Sequence, residues 1–365
     1  MNFEQLKDIP LQINNYVDLL KKDNKFEFNP SLYGLTKVGK KLNLGFSNYG
    51  LKIKYMLGEL NSETLVTNWV DYINSYQQTK KHFPKNSFID PAFLNGYKFL
   101  GFKDELKFNV KNFTNIFLNK NFDTKRSSLV KAVNAETKQS ISTLYQVGFK
   151  NKYKLEQEYK DFKDLEIYLN SLNLSQPWSA GAQFSSMCVY SATQEFNYSE
   201  KLYKYITFLL DENTGSYFSK TPSSSRQVIN GAMKVITGLD WIGQEVHSPE
   251  KLIDFCLSNI PVSEGCDIVD YVYVLYKCSN QTIYKKKEIN DVFKIIIEQL
   301  LKLYNVNDNA FSYYQNKSQT HYYGLKITDG TNNADLHGSL LSLWAIFMMM
   351  ENMEILDSKF KIIKP

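Results

Sequence analysis

Tryptophan, histidine and cysteine are scarce in this chain of 365 residues, with four of each. Cys188, Cys256, Cys266 and Cys278 form no C-x-x-C pair. That excludes a zinc ribbon or a dithiol redox motif and points to reduced, mostly buried thiols. Long apolar runs are also missing. The most apolar stretch, Leu340 to Met350, falls short of the roughly 20 residues that cross a bilayer, so no membrane span is expected. The opening "MNFEQLKDIPLQINNYVDLL" has no basic segment followed by an apolar one. No secretory signal is read there, and a cytoplasmic location is the expectation. Blocks of positive charge are absent too. Net charge is +5, and the longest basic run, Lys285 to Lys287, is followed at once by Glu288. This pattern marks a solvated helix face and gives no reason to expect a nucleic-acid partner. No G-x-G-x-x-G, Walker loop or G-x-S-x-G elbow occurs, and no cofactor is expected.

What the chain does have is apolar and aromatic. Apolar residues make up 43%, and 25 Tyr with 24 Phe far outnumber Trp, enough for a large core with wet, hydroxyl-bearing pockets. Most of the sequence has helical periodicity. In "SPEKLIDFCLSN", Ser248 is placed to cap, Pro249 to sit at the first helical position, and Leu252, Ile253, Phe255, Cys256 and Leu257 to face inward.

Five stretches share a further pattern: "KLNLGFSNYGLKIKYML", "PWSAGAQFSSMCVYSA", "QVINGAMKVITGL", "VSEGCDIVDYVYVLYKC" and "ADLHGSLLSLWAI". Each carries a Gly near its start (Gly45, Gly181, Gly231, Gly265, Gly338) and continues as a helix apolar nearly all round, the mark of a buried helix. Between them lie amphipathic segments that end in a polar turn and one or two aromatics, such as "YKYITFLLDENTGSYFSK" and "FKIIIEQLLKLYNVNDNAFSYYQ". The order alternates outer helix, turn, extended aromatic segment, inner helix, as a degenerate repeat.

This alternation, over residues 40 to 355, resembles the α/α toroids. These comprise terpenoid cyclases and protein prenyltransferases together with six-hairpin glycosidases, polysaccharide lyases and sugar epimerases. The resemblance implies an all-α fold, with inner helices in a ring, outer helices around it, short irregular aromatic connections, and a pocket at one mouth. Residues 1–40 then form an N-terminal capping segment and 41–365 the toroid domain. The zinc-binding prenyltransferases use Asp, a spacer and Cys, with a His. Here Cys266 directly precedes Asp267, with His337 as the only matching His, so no metal is expected. The D-x-D-D and D-D-x-x-D patterns of the terpene cyclases are absent.

In a toroid the starts of the inner helices gather at the mouth. Those starts carry Trp178 and Ser179, Arg226 and Asn230, Glu264, Asp267 and Asp270, and Asp335 and His337. Asp267 and Asp270 share a helix face and suit acid–base work; a cap and a solvated residue is the structural alternative. Asp335 is placed to cap a helix or to orient an imidazole. His321, Tyr322 and Tyr323 lie on the connection that borders the mouth, so His337, His321 and Tyr322 are read as the proton-transfer group, His titrating near neutral pH. Trp178 is a candidate stacking platform for a sugar ring; Arg226, Asn230 and Tyr323 are the other candidate binding residues. His82 and the pair Glu245 and His247 are assigned to loops away from the mouth. The leading expectation is a carbohydrate-active enzyme that binds a saccharide or other small ligand and works by hydrolysis, elimination or epimerisation. The alternatives are an isoprenoid-handling toroid and a noncatalytic glycan- or protein-binding one.

Overall fold

Helices without a polar face are stable only where other chain surrounds them. The computed structural model describes residues 4–365 except 101–104, 107, 112, 115–123, 157–158, 219–223 and 263. In chain order its helices include α1 (Glu4–Leu19), α2 (Leu44–Met56), α3 (Glu63–Asn74), α4 (Pro91–Lys98) and α5 (Lys125–Gln146). Next come α6 (Phe162–Asn170), α7 (Pro177–Thr193), α8 (Ser199–Thr207), α9 (Ser225–Trp241) and α10 (Pro249–Leu257). The last are α11 (Cys266–Ser279), α12 (Lys286–Leu301) and α13 (Leu336–Asn352). The fold is mainly helical. No helix among the described residues is long and apolar enough to cross a membrane.

The helices fall into two kinds. α2, α7, α9, α11 and α13 are buried along almost their whole length and on all sides, and α5 over its second half. These pack in succession: α2 on α5, α5 on α7, α7 on α9, α9 on α11, α11 on α13, and α13 back on α2. The others bury one stripe. In α12 the inward positions are Ile289, Val292, Phe293, Ile296, Ile297 and Leu300, the three-and-four spacing of an amphipathic helix. They lie outside the first set: α3 on α2, α6 and α8 on α7, α10 on α11, and α12 on α11 and α13. Residues before α2 belong to the same core. α1 packs on α2 and α13, and the Tyr16 hydroxyl donates to the Ala334 carbonyl at 2.7 Å.

The polar turns after α3 and α12 close as short antiparallel clasps: β1 (Gln77–Gln78) pairs with β2 (Ser87–Phe88), and β3 (Tyr304–Asn305) with β4 (Ala310–Phe311). A third clasp, β5 (His321–Tyr322) with β6 (Leu325–Lys326), forms on the connection from β4 to α13. After α8 a single bridge joins Leu210 and Tyr217. The inward aromatic of each clasp is what the sequence shows as an extended aromatic segment. Ser248 precedes α10 with its side chain making no capping bond; Pro249 at the first position already removes one N–H that would need a cap.

At the opposite ends of α9 and α11 the closure is ionic. Asp240 takes Lys277 at 3.0 Å and Lys364 at 3.5 Å, and the Trp241 indole N–H donates to the Pro365 carbonyl at 2.9 Å. The starts of the buried helices are instead held by close backbone approach. A Cβ on Gly338 would lie 2.4 Å from the Tyr313 nitrogen, and one on Gly231 2.5 Å from Pro177 Cβ. Gly338→Ala is therefore expected to cost about 3 kcal/mol, since backbone cannot move aside as a side-chain tip can. Urea denaturation with an unchanged m-value checks this; a loss under about 0.5 kcal/mol would show that the approach is not tight.

Candidate functional site

The site is built outward from Asp335. This residue sits at the N-cap of α13 in extended conformation, is fully buried, and accepts three backbone N–H bonds. Gly338 donates to Oδ1 at 2.7 Å, and Tyr313 and Gln319 donate to Oδ2 at 2.7 and 2.9 Å. Burial nevertheless raises its pKa to about 6. Both oxygens are committed to the backbone, so Asp335 does not orient the His337 imidazole, against the expectation from sequence. The physical reason is the extended N-cap geometry, which turns the carboxylate onto the helix's own N–H groups.

His337 occupies the first turn of α13. Its ring stacks on Tyr49 of α2 (centroids 4.6 Å, 11°) and leans on Tyr313 (5.1 Å), and its Nδ1 is enclosed without a partner. Burial, aided by the positive charge of Lys234, pushes its pKa down to about 3. Instead of titrating near neutral pH, the imidazole stays neutral, packed between Tyr49 and Tyr313.

Asp267 lies in the first turn of α11 and Asp270 one turn on, both buried and on one face. Their surroundings differ. Asp267 is occupied: Asn230 Nδ2 donates to Oδ1 at 2.6 Å and Arg226 Nε approaches Oδ2 at 2.8 Å. Asp270 is raised to about 6 by burial, offset by Lys234, whose Nζ is 3.8 Å away, and by the Trp178 indole N–H. Its Oδ2 has no partner. Lys234 also lies over the Trp178 ring at 5.6 Å, and Trp178 is 43% exposed. Trp178, Lys234 and Asp270 thus form one group across α7, α9 and α11. Next to it Cys266 Sγ meets the Tyr313 hydroxyl at 3.0 Å, its thiol pushed up to about 11 by burial and by Asp270.

The connection that carries His321, Tyr322 and Tyr323 is divided. β5 alternates, so His321 is exposed beside Thr320 while Tyr322 turns inward and donates to Glu136 Oε1 at 3.0 Å. His321 and Tyr322 therefore do not face one mouth together. Tyr323 takes a left-handed backbone (φ 43°), is 37% exposed, and its carbonyl accepts from the Tyr97 hydroxyl at 2.6 Å. Tyr322 still joins the site through rings: it packs edge-on against Tyr49, which stacks on His337. His247 stacks on Tyr203 and bonds Thr207 and Tyr217, His82 meets Arg126, and Glu245 is exposed.

A cleft of about 450 Å³ opens beside Arg226, Asn230 and Asp267, with Asn259, Pro261 and Tyr271 in its walls. Trp178, Asp270 and His337 are not part of that lining; Asp267, one turn from Asp270, connects the two. Among the described residues no three His, Cys, Asp or Glu side chains converge as metal ligands.

Sequence reasoning passed over Lys234, Tyr313, Tyr49 and Glu136. A signal was present for Lys234: a lysine inside an otherwise apolar buried run, "NGAMKVITGL", is out of place unless its amine has work to do. Tyr49 and Tyr313 carried none, being ordinary aromatics in an aromatic-rich chain.

No family model matches the chain, and no curated protein matches it. In structure it is similar to a solved polysaccharide lyase, over 98% of this chain and 100% of the other, with 11% identity and a TM-score of 0.48. What the site can do follows from its own side chains.

Two groups give opposite pH signatures. His337 titrates at about 6.5 unfolded and about 3 folded, so the stability it supplies above pH 6.5 is lost as pH falls toward 3. Asp270 goes from 3.8 to about 6, so the protein pays for its charge as pH rises through that window. Relative to the parent, His337→Gln should gain stability at pH 4 compared with pH 7, and Asp270→Asn the reverse, each on the order of 1 to 2 kcal/mol. Melting curves at the two pH values read this directly, and equal shifts at both would rule out burial as the cause.

Proposed function

We propose that the chain is an α/α toroid with a saccharide-processing site at one mouth, and that it is a carbohydrate-active enzyme. The closed succession of buried helices, α2 through α13 and back, supports the toroid. The observation that carries the function is Asp270: a buried carboxylate with one unpartnered oxygen and an acidity near neutral, set beside a half-exposed Trp and a lysine. A base so tuned and a flat apolar ring next to it suit a sugar whose ring carbon loses a proton.

Among the three reactions, elimination or epimerisation is favoured over hydrolysis by a carboxylate pair. A pair needs a second free carboxylate, but Asp267 is engaged by Arg226 and Asn230, and Asp335 by the backbone. In elimination Asp270 takes the proton from the ring carbon, the carbon–oxygen bond breaks, and the leaving oxygen receives a proton. Burial raises the Tyr313 phenol and keeps it protonated, so it is the donor. His337, neutral, holds a ligand oxygen. Arg226 is tied at Nε only, and its outer nitrogens are free to meet a ligand carboxylate bidentately. The isoprenoid reading fits less well, because charged and titratable groups converge at the mouth.

Acidic and neutral polysaccharides should be screened for unsaturated product by ultraviolet absorbance, for new reducing ends, and for solvent deuterium entering the sugar. Asp270→Asn should lower turnover about a hundredfold or more, and parent kcat/KM should fall below about pH 6, where Asp270 takes its proton. Arg226→Lys should weaken an acidic ligand about tenfold and a neutral one little. If no saccharide is turned over or protects against thermal unfolding while isoprenoid diphosphates protect, the proposal fails.

A further inference from the structure

The clasp between β5 and β6 has a two-residue turn, Tyr323 and Gly324, and both residues have left-handed backbones (φ 43° and 84°). Two positive values make it a type I′ turn, whose first position favours Asn, Asp or Gly. A tyrosine there crowds its own Cβ against the backbone, so a bulky side chain is kept where a small one fits better. Contacts from α4 hold the strained turn down. The Tyr97 hydroxyl donates to the Tyr323 carbonyl at 2.6 Å, and a Cβ on Gly96 would lie 2.6 Å from Leu325 Cδ1. What the strained position gains is display. Tyr323 is 37% exposed, although its ring touches Phe93 and Tyr322.

From Tyr323 an unbroken line of contacts leads to Trp178. The Tyr323 ring lies 4.5 Å from Tyr322, which meets Tyr49 at 6.2 Å, and Tyr49 stacks on His337 at 4.6 Å. His337 leans on Tyr313 at 5.1 Å, and the Tyr313 hydroxyl meets Cys266 Sγ, one helical turn before Asp270. Asp270 pairs with Lys234, which lies over Trp178. The two ends of the line are its most exposed aromatics, and the acid–base groups lie between them. Tyr323, His337, Tyr313 and Cys266 are all part exposed, yet burial shifts each of them against its charged form. Side chains that water reaches but cannot fully hydrate line a hollow, not a convex surface.

We propose that Tyr323 is a specificity-determining residue. The strained clasp presents its ring as a second stacking platform, and the protein binds a chain of at least two sugar units, one on Trp178 and one on Tyr323, with the bond acted on between them. This rests on the saccharide reading above. Two flat rings on either side of the proton-transfer groups suit units on either side of the bond that breaks, and a ring locked by its backbone stacks at little further cost in entropy. The competing role for Tyr323 is to pack the clasp onto Phe93 and nothing more.

The test is calorimetric binding of oligogalacturonates and cello-oligosaccharides of one to four units, with melting temperature read alongside. In the parent, chains of two or more units should bind about tenfold or more tighter than the single sugar. Tyr323→Phe keeps the ring and should keep that gain. Tyr323→Asn and Tyr323→Ala should lose it and bind the single sugar as the parent does. Asparagine accepts a left-handed backbone and alanine does not, so Tyr323→Asn should melt above Tyr323→Ala. A gain with chain length that survives in folded Tyr323→Asn would overturn the platform and leave the saccharide reading standing. Binding by the parent that ignores chain length would do the same. Equal melting of those two variants would overturn the strained display. A parent that binds none of these saccharides would remove the saccharide reading and the platform with it.

Discussion

One buried carboxylate ties together the chain at the start of α13. Asp335 gathers N–H groups from α13, from the turn at Tyr313 and from the strand-like segment at Gln319, three separate turns of the stretch that leads into that helix. Water cannot reach those N–H groups, and each left unpaired would cost about 1 to 3 kcal/mol. The carboxylate therefore determines where Tyr313 lies, and Tyr313 in turn bounds His337 on one side and Cys266 on the other. Gly338 is required beside it because the backbone at Tyr313 comes too close for any side chain.

The same exclusion of water sets the protonation of the site. Burial is unfavourable for a charged imidazole and a charged carboxylate alike, so it lowers His337 and raises Asp270. Lys234 acts on both: its charge disfavours a proton on His337 and stabilises the Asp270 carboxylate. A single amine thereby opens a difference between a neutral imidazole and a carboxylate that ionises near neutrality. Asp267, one turn from Asp270 on the same face, is instead occupied by Arg226 and Asn230.

The glycines and the Asp267–Asp270 pair show how far residue patterns reach. Gly45, Gly181, Gly231, Gly265 and Gly338 marked helix starts that do lie against other chain: Gly181 and Gly231 at the junction of α7 and α9, Gly265 and Gly338 around Tyr313, and Gly45 under the Tyr322 hydroxyl. The three-residue spacing of the aspartates rightly put them on one face, yet gave no hint that one would be paired and the other not. The grouping of His321 with Tyr322 failed for a reason visible only once the segment is known to be a strand, where neighbours point apart.

What the sequence determined alone was local: which segments are helical, which helices have no polar side, where turns and caps fall, and that Asp335 could cap α13. These follow from periodicity and from hydrogen-bonding options within a few residues. The tertiary structure decided everything that depends on which helix lies beside which. It chose the partner of each carboxylate, and stacked His337 on Tyr49 from a helix nearly three hundred residues earlier. A side chain's charge and its partners depend on the dielectric and the donors around it, and those are supplied by segments that only folding brings near.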